Sequence, residues 1–238
     1  MQTTTDPKLT VRRADDRFHS QFGWLDSRHT FSFGEHHHPD HMGYRSLRVI
    51  NDDRVAPEGG FGTHPHHSME IFTYVISGEL EHKDSMGNGR VIKEGEFQYM
   101  SAANGVTHSE FNPSSENAAH FLQIWITPAS PGGEPRYHDF DTKPLREENG
   151  LALLASPGGD KGSMAIRQHA QIHFGNLAEG ASLPLAEDKN YPLSWLHVIK
   201  GELKAGKITL KPGDGASFEG ALDLSAGSDT EFLLFRLV

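Results

Sequence analysis

Short apolar runs, rather than long amphipathic stripes, set the pattern of this chain. Arg48-Val49-Ile50, Ile71 to Ile76, Phe121 to Ile126, Trp195 to Ile199 and Phe232 to Val238 are each of strand length and bounded by Gly, Asn, Asp or Pro. No segment carries a long helical stripe with clear caps, so the pattern predicts an all-β chain with at most short helices. Met86-Gly87-Asn88-Gly89 contains the Asn-Gly pair that suits a tight hairpin. The alternation Phe31-x-Phe33 predicts a strand that buries a core face.

The pattern also repeats. Tyr74-Val75-Ile76-Ser77-Gly78-Glu79-Leu80-Glu81 matches His197-Val198-Ile199-Lys200-Gly201-Glu202-Leu203-Lys204, a strand, a Gly turn and a strand. Downstream, Lys93-Glu94-Gly95-Glu96 echoes Lys211-Pro212-Gly213-Asp214, and Phe121-Leu122-Gln123-Ile124 echoes Phe232-Leu233-Leu234-Phe235. Three landmarks in one order predict a duplicated β unit, with shorter hairpins in the second copy. The richest Pro/Gly stretch, Pro128, Pro131-Gly132-Gly133, Pro135 and Pro144, lies between the copies and reads as a linker. The expectation is two tandem β-barrel or sandwich domains, residues 1–135 and 136–238.

Composition narrows the chemistry. With 22 Lys plus Arg against 32 Asp plus Glu, the formal charge is −10, which argues against direct capture of nucleic acid or anionic lipid. Cysteine is absent, so any metal must sit on nitrogen and oxygen. No stretch approaches the roughly 20 apolar residues of a membrane span, and the opening Met1 to Lys8 has no basic end followed by an apolar core; the reading is a soluble, cytoplasmic protein. Histidine is abundant, at 16 residues. His36, His37, His38 and His41 sit among Gly, Asp and Pro and read as a solvated loop.

Two other histidine patterns differ from that loop. His64-Pro65-His66 and His108-Ser109-Glu110 each place two ligand-type side chains at i and i+2, on one face of an extended segment. If the two segments are neighbouring strands facing inward, three imidazoles and a carboxylate converge on one point with open positions opposite, as a metal site requires. Gly59-Gly60-Phe61-Gly62 leads into a strand without a helix start or a Lys-Ser/Thr pair, so it does not read as a phosphate loop. His29 and His67 stay ambiguous between site and framework.

Gly59-x4-His64-x-His66-x3-Glu70-x7-Gly78, with Gly95-x5-Ser101 and His108-x-Glu110-x-Asn112, resembles the two metal-binding motifs of the cupin superfamily. Trp24 to Phe33, Asn51-Asp52-Asp53, Gly62 to His66 and Met86-Gly87-Asn88 more narrowly resemble the pirin family, bicupins in which only the N-terminal domain holds metal. That resemblance implies two double-stranded β-helix barrels, with ligands carried over onto His64, His66, His108 and Glu110 and with Glu70 in a supporting role. Offsets measured from Gly201 and Gly213 fall on Glu187, Lys189, Ala226 and Ser228, and residues 145–238 contain no His-x-His or His-x-Glu, so the second barrel is expected to hold no metal.

Within the family the resemblance is greatest to bacterial pirins with quercetin 2,3-dioxygenase activity. It implies one divalent transition metal, most often Fe(II), with Cu, Mn, Ni and Zn as alternatives that intrinsic affinity order keeps open. It implies a flavonol substrate and dioxygen, with Glu110 both a ligand and the base that takes the flavonol 3-hydroxyl proton. A carboxylate beside a cation is a weak base, so that double role requires a labile ligand. The competing expectation, implied by the eukaryotic pirins, is a metal-sensing module that regulates protein partners. A roomy apolar pocket favours the enzyme; a basic surface around the metal favours the module.

Overall fold

A computed structural model describes residues 8–147 and 150–238. It is built almost wholly of β-strands; among the described residues the helical elements are four 3₁₀ turns of three to five residues. None is long and apolar enough to cross a membrane. The five apolar runs fall in the strands Leu47–Val55, Glu70–Ser77, Ala119–Ile126, Leu193–Lys200 and Thr230–Leu237, with only Val238 beyond the last of them. The chain forms two compact units. One comprises residues 17–143 and 166–168; the other comprises residues 8–16, 144–147, 150–165 and 169–238 of the described chain.

In the first unit a seven-stranded sheet runs in the order 136–141, 96–101, 70–77, 119–126, 47–55, 25–29, 18–22. A four-stranded sheet runs in the order 60–66, 106–111, 79–84, 89–93. Leu25, Val55, Val75, Leu80, Ile92, Ala119 and Phe121 form one buried cluster, and Ile71, Met100, Ala102 and Val106 another. The second unit repeats the plan, with a seven-stranded sheet that includes 193–200 and 230–237 and a four-stranded sheet of 182–185, 222–226, 203–205 and 208–210. Its core is a larger apolar cluster that includes Leu185, Leu203, Leu222 and Phe232.

The landmarks of the repeat have a backbone cause. Gly78 and Gly201 adopt φ of 76° and 79°, and Gly95 and Gly213 adopt 81° and 83°. A side chain is disfavoured there, and a Cβ at Gly78 or Gly201 would also lie 2.6 Å from the Ala118 carbonyl or 2.1 Å from the Asp229 carbonyl. The same turn thus recurs in both barrels.

Two local expectations are corrected. The hairpin between Glu79–Asp84 and Gly89–Lys93 exists, but its left-handed residue is Gly87, at φ 94°, rather than the Asn88-Gly89 pair. Asp84 closes that longer turn by accepting from the Met86 and Asn88 backbone N–H groups and from the Asn88 amide. Phe31 is buried, yet the strand ends at His29, and Phe33 beyond it lines a cavity instead of continuing the core face. Burying both rings on one face would need two more residues of extended chain, and the backbone bends at Thr30 and Phe31 instead.

Candidate metal centre

The strand Gly60–His66 pairs antiparallel with Val106–Phe111, with His64 opposite His108. The ladder slips between His108 and Glu110, so that Phe61, not Gly62, lies opposite Glu110. This one-residue bulge lets the next large side chain on the first strand share the face of the ligand-type residues. His64, His66 and His108 come together, with ligand nitrogens within 4.8 Å of one another and ring centroids 4.5–4.9 Å apart. Glu110 stands beside His108 in a second group, with His82, inside the same limit. The structure therefore gathers three of the four expected residues directly and joins the fourth through His108.

The histidines are prepared as neutral ligands. Burial, then the neighbouring His108 and His64, lowers the His66 pKa to about 4. Burial, then His64 and His82, lowers that of His108 to about 3. Both keep a free lone pair at neutral pH. His64 Nδ1 lies 2.8 Å from the Gly62 carbonyl, an acceptor only, so Nδ1 carries the proton and Nε2 is left for a ligand.

His108 is fixed by residues that the sequence reading did not single out. Its Nδ1 meets His82 Nδ1 at 3.4 Å, and His82 Nε2 meets Asp84 Oδ2 at 3.2 Å. The carboxylate assigns the proton of His82 to Nε2, leaving His82 Nδ1 to accept from His108 and from the Gln98 amide at 3.1 Å. His108 Nε2 is then a buried lone pair, and it has no hydrogen-bond partner. An orphaned buried nitrogen next to two other imidazoles fits a metal ligand and is costly otherwise. The signal for these supports was the strand-period pair His82-x-Asp84 just before the turn residues Met86-Gly87-Asn88.

Glu110 is 3% exposed and is gripped by Gln123, whose amide donates at 3.1 and 3.0 Å to its two oxygens, with Thr73 Oγ1 donating at 3.4 Å. Glu70, in contrast, is spent on the framework: it accepts from Tyr99 at 2.5 Å, Ser101 at 2.6 Å and the Arg167 backbone N–H at 3.0 Å. His67 is exposed, and His37 and His38 are exposed on their loop.

His64, His66 and Glu110 line a cavity of about 240 Å³. Phe33, Phe61, Leu25 and Trp125 supply its apolar walls, and Ser27, His29, Asn51, Asp53 and Gln123 its polar groups. Trp125 meets His66 edge-on at 5.0 Å and Phe33 at 5.4 Å. An apolar-walled cavity with convergent polar groups beside three clustered imidazoles suits an aromatic ligand and a divalent metal.

Comparison with known proteins agrees with this geometry. The family model described as Pirin matches residues 11–126, and that of the quercetinase C-terminal cupin domain matches residues 153–237. A protein of Escherichia coli K12 named quercetin 2,3-dioxygenase is 42% identical over 233 residues, covering 96% of this chain and 98% of its own. The crystal structure of Escherichia coli YhhW superposes with a TM-score of 0.91 at 41% identity, over 97% of this chain and 98% of that one. The structure of bacterial pirin YhhW in complex with nickel(II) gives a TM-score of 0.92 at 40% identity, over 97% and 99%.

Proposed function

The chain belongs to the pirin family, and on that footing we propose that it is a metal-dependent dioxygenase that opens the ring of a flavonol such as quercetin. The observation that carries this reading is the trio His64, His66 and His108, of which His64 and His66 stand in the wall of an aromatic-lined cavity. His64, His66, His108 and Glu110 would hold one divalent metal, with Fe(II) the proposed occupant. A metal so held, with positions left open, supplies a redox-active Lewis acid next to the substrate.

The chain's own residues do the rest. Phe61, Phe33 and Trp125 orient a flat substrate and exclude water. Glu110 takes the proton of the flavonol 3-hydroxyl, and Gln123 holds that carboxylate in place while it does so. A metal held by Glu110 would share those oxygens with the Gln123 amide, which supports a labile fourth ligand. A cavity near 240 Å³ sits just under the usual range for small-molecule sites, about 300 Å³ upward, and so selects a compact ligand.

The test is loss of the quercetin absorbance under air by iron-, copper-, manganese- and nickel-loaded protein. The expected result is turnover above free metal in buffer, abolished by chelation and restored by a redox metal. Glu110→Gln should retain part of the metal and lose turnover, because an amide coordinates weakly and accepts no proton. If every metallated form leaves quercetin untouched, the metal-sensing module takes its place.

A further inference from the structure

Next to the cavity, three antiparallel strands bring four protonatable side chains, Ser20, Ser27, His29 and Asp53, into one line with His36 of the adjoining loop. Ser20 lies opposite Ser27, Ser27 opposite Asp53, and His29 opposite Asn51, across strands Phe18–Phe22, Leu25–His29 and Leu47–Val55. Ser27 Oγ donates to the Asp53 carboxylate in a short hydrogen bond. His29 Nδ1 lies 2.8 Å from the Asn51 side-chain oxygen and 3.3 Å from Ser27 Oγ. His29 Nε2 lies 2.9 Å from Ser20 Oγ, which lies 3.1 Å from His36 Nε2. Asp53 and His29 line the cavity, whereas His36 is half-buried at the loop.

One assignment of protons satisfies every contact. Asn51 Oδ1 needs a donor, which puts the His29 proton on Nδ1 and leaves Nε2 to accept from Ser20. Ser20 Oγ then accepts from His36 Nε2–H, and Ser27 accepts from His29 while donating to Asp53. Each group donates to the next, always inward.

We propose that Ser20, His29 and Ser27 form a proton relay between His36 at the loop and Asp53 in the cavity, so that Asp53 serves as the proton-holding residue facing the substrate. In one passage solvent protonates His36 at Nδ1 and His36 yields its Nε2 proton to Ser20. Ser20 passes its own proton to His29 Nε2, His29 gives up Nδ1–H to Ser27, and the Ser27 proton forms the O–H bond of Asp53. One proton enters, one carboxylate is neutralised and no electron moves. The same line run backward discharges Asp53.

The environment suits this role. Burial, opposed by the Ser27 hydrogen bond and aided by the charges of Asp52 and Glu110, raises the Asp53 pKa to about 7. Burial lowers that of His29, with the Asn51 bond opposing and His36, Arg17 and His19 adding, so its ring is neutral and free to relay. The hydrogen bond of Asp53 runs to Ser27 on the relay, while Asp53 shares the cavity and an electrostatic interaction with Glu110. The relay's use in turnover rests on the dioxygenase reading; its existence does not.

The test therefore reads the proton directly. Infrared difference spectra of the full-length protein near pH 6 should show a protonated carboxyl band that Asp53→Asn removes. On dilution into D₂O that band should shift within the mixing time in the native protein, about ten- to a hundredfold more slowly in Ser20→Ala, and again rapidly in Ser20→Thr, which keeps the hydroxyl. Ser20→Ala should also lower kcat for the flavonol with KM unchanged, and external imidazole should restore it. A band absent from the native protein, or an exchange rate indifferent to Ser20→Ala, overturns the relay. If no flavonol is consumed by any form, the exchange measurement still decides the relay, while the dioxygenase reading fails separately.

Discussion

At the scale of single residues, the site is a matter of which nitrogen is free. His66 carries its value to the cluster by being neutral and half-enclosed, held against Trp125. His66→Ala should strip most of the metal from the protein, whereas His37→Ala on the exposed loop should leave metal content unchanged, as elemental analysis of the purified variants will show. Equal loss from the loop substitution would place the site elsewhere. His82 is not among the residues lining the cavity beside the histidines, yet it sets the tautomer of His108. His82→Ala should weaken metal binding by about 10- to 100-fold, the usual cost of losing a partner that orients a ligand. Competition with a chelator of known affinity measures it. The residue pattern showed His64, His66, His108 and Glu110 because strand period puts i and i+2 on one face, and that rule needs no partner strand. His82 and Asp84 are a strand-period pair too, but the part they play depends on His108, 26 residues from His82 in sequence, which strand period alone does not bring to them.

At the scale of elements, the spacing of two strands matters most. Gly60 sits opposite Phe111, where a Cβ would lie 2.4 Å from the Glu110 carbonyl oxygen and 2.6 Å from the Phe111 Cα. Gly60→Ala should force the ligand strands apart and cost about tenfold or more in metal affinity, while Gly62→Ala, with open space around it, should be tolerated; titration of both variants with the same metal checks this. In the second unit the strand Gln171–Leu177 half-buries His173, whose pKa falls to about 4 through desolvation and the nearby Arg236. The unfolded chain takes this proton near its ordinary value of about 6.5, before the folded one does. Its contribution to stability is therefore present above about pH 6.5 and is lost as pH falls toward about 4. Denaturant midpoints at pH 7 and pH 5 should fall less in His173→Gln than in the native protein.

At the scale of the whole molecule, the proposed metal would link to the fold. Three imidazoles are gathered only in the folded state, so an ion bound there at a hundredfold excess over its Kd should add about 2.7 kcal/mol to stability. Thermal scans should show a Tm that rises with added metal and returns on chelation, and His66→Ala should remove that dependence. A metal-independent Tm would argue against a preformed site. By itself the sequence determined the all-β class and the doubled unit with its Gly turns, and it set out the strand-period His and Glu pairs as candidates, because strand period and turn chemistry are local properties. Only the tertiary structure decided the rest. The strand Thr10–Arg12 pairs with Gly215–Glu219 some two hundred residues away, and Arg13 reaches Asp214 at 2.8 Å; nothing in either segment names the other. The bulge that sets Phe61 beside Glu110, the burial that holds His66 and His108 neutral, and the line of side chains from His36 to Asp53 likewise arise from cross-strand register. Register is a relation between strands, fixed by which faces can be buried together, and no single strand carries it.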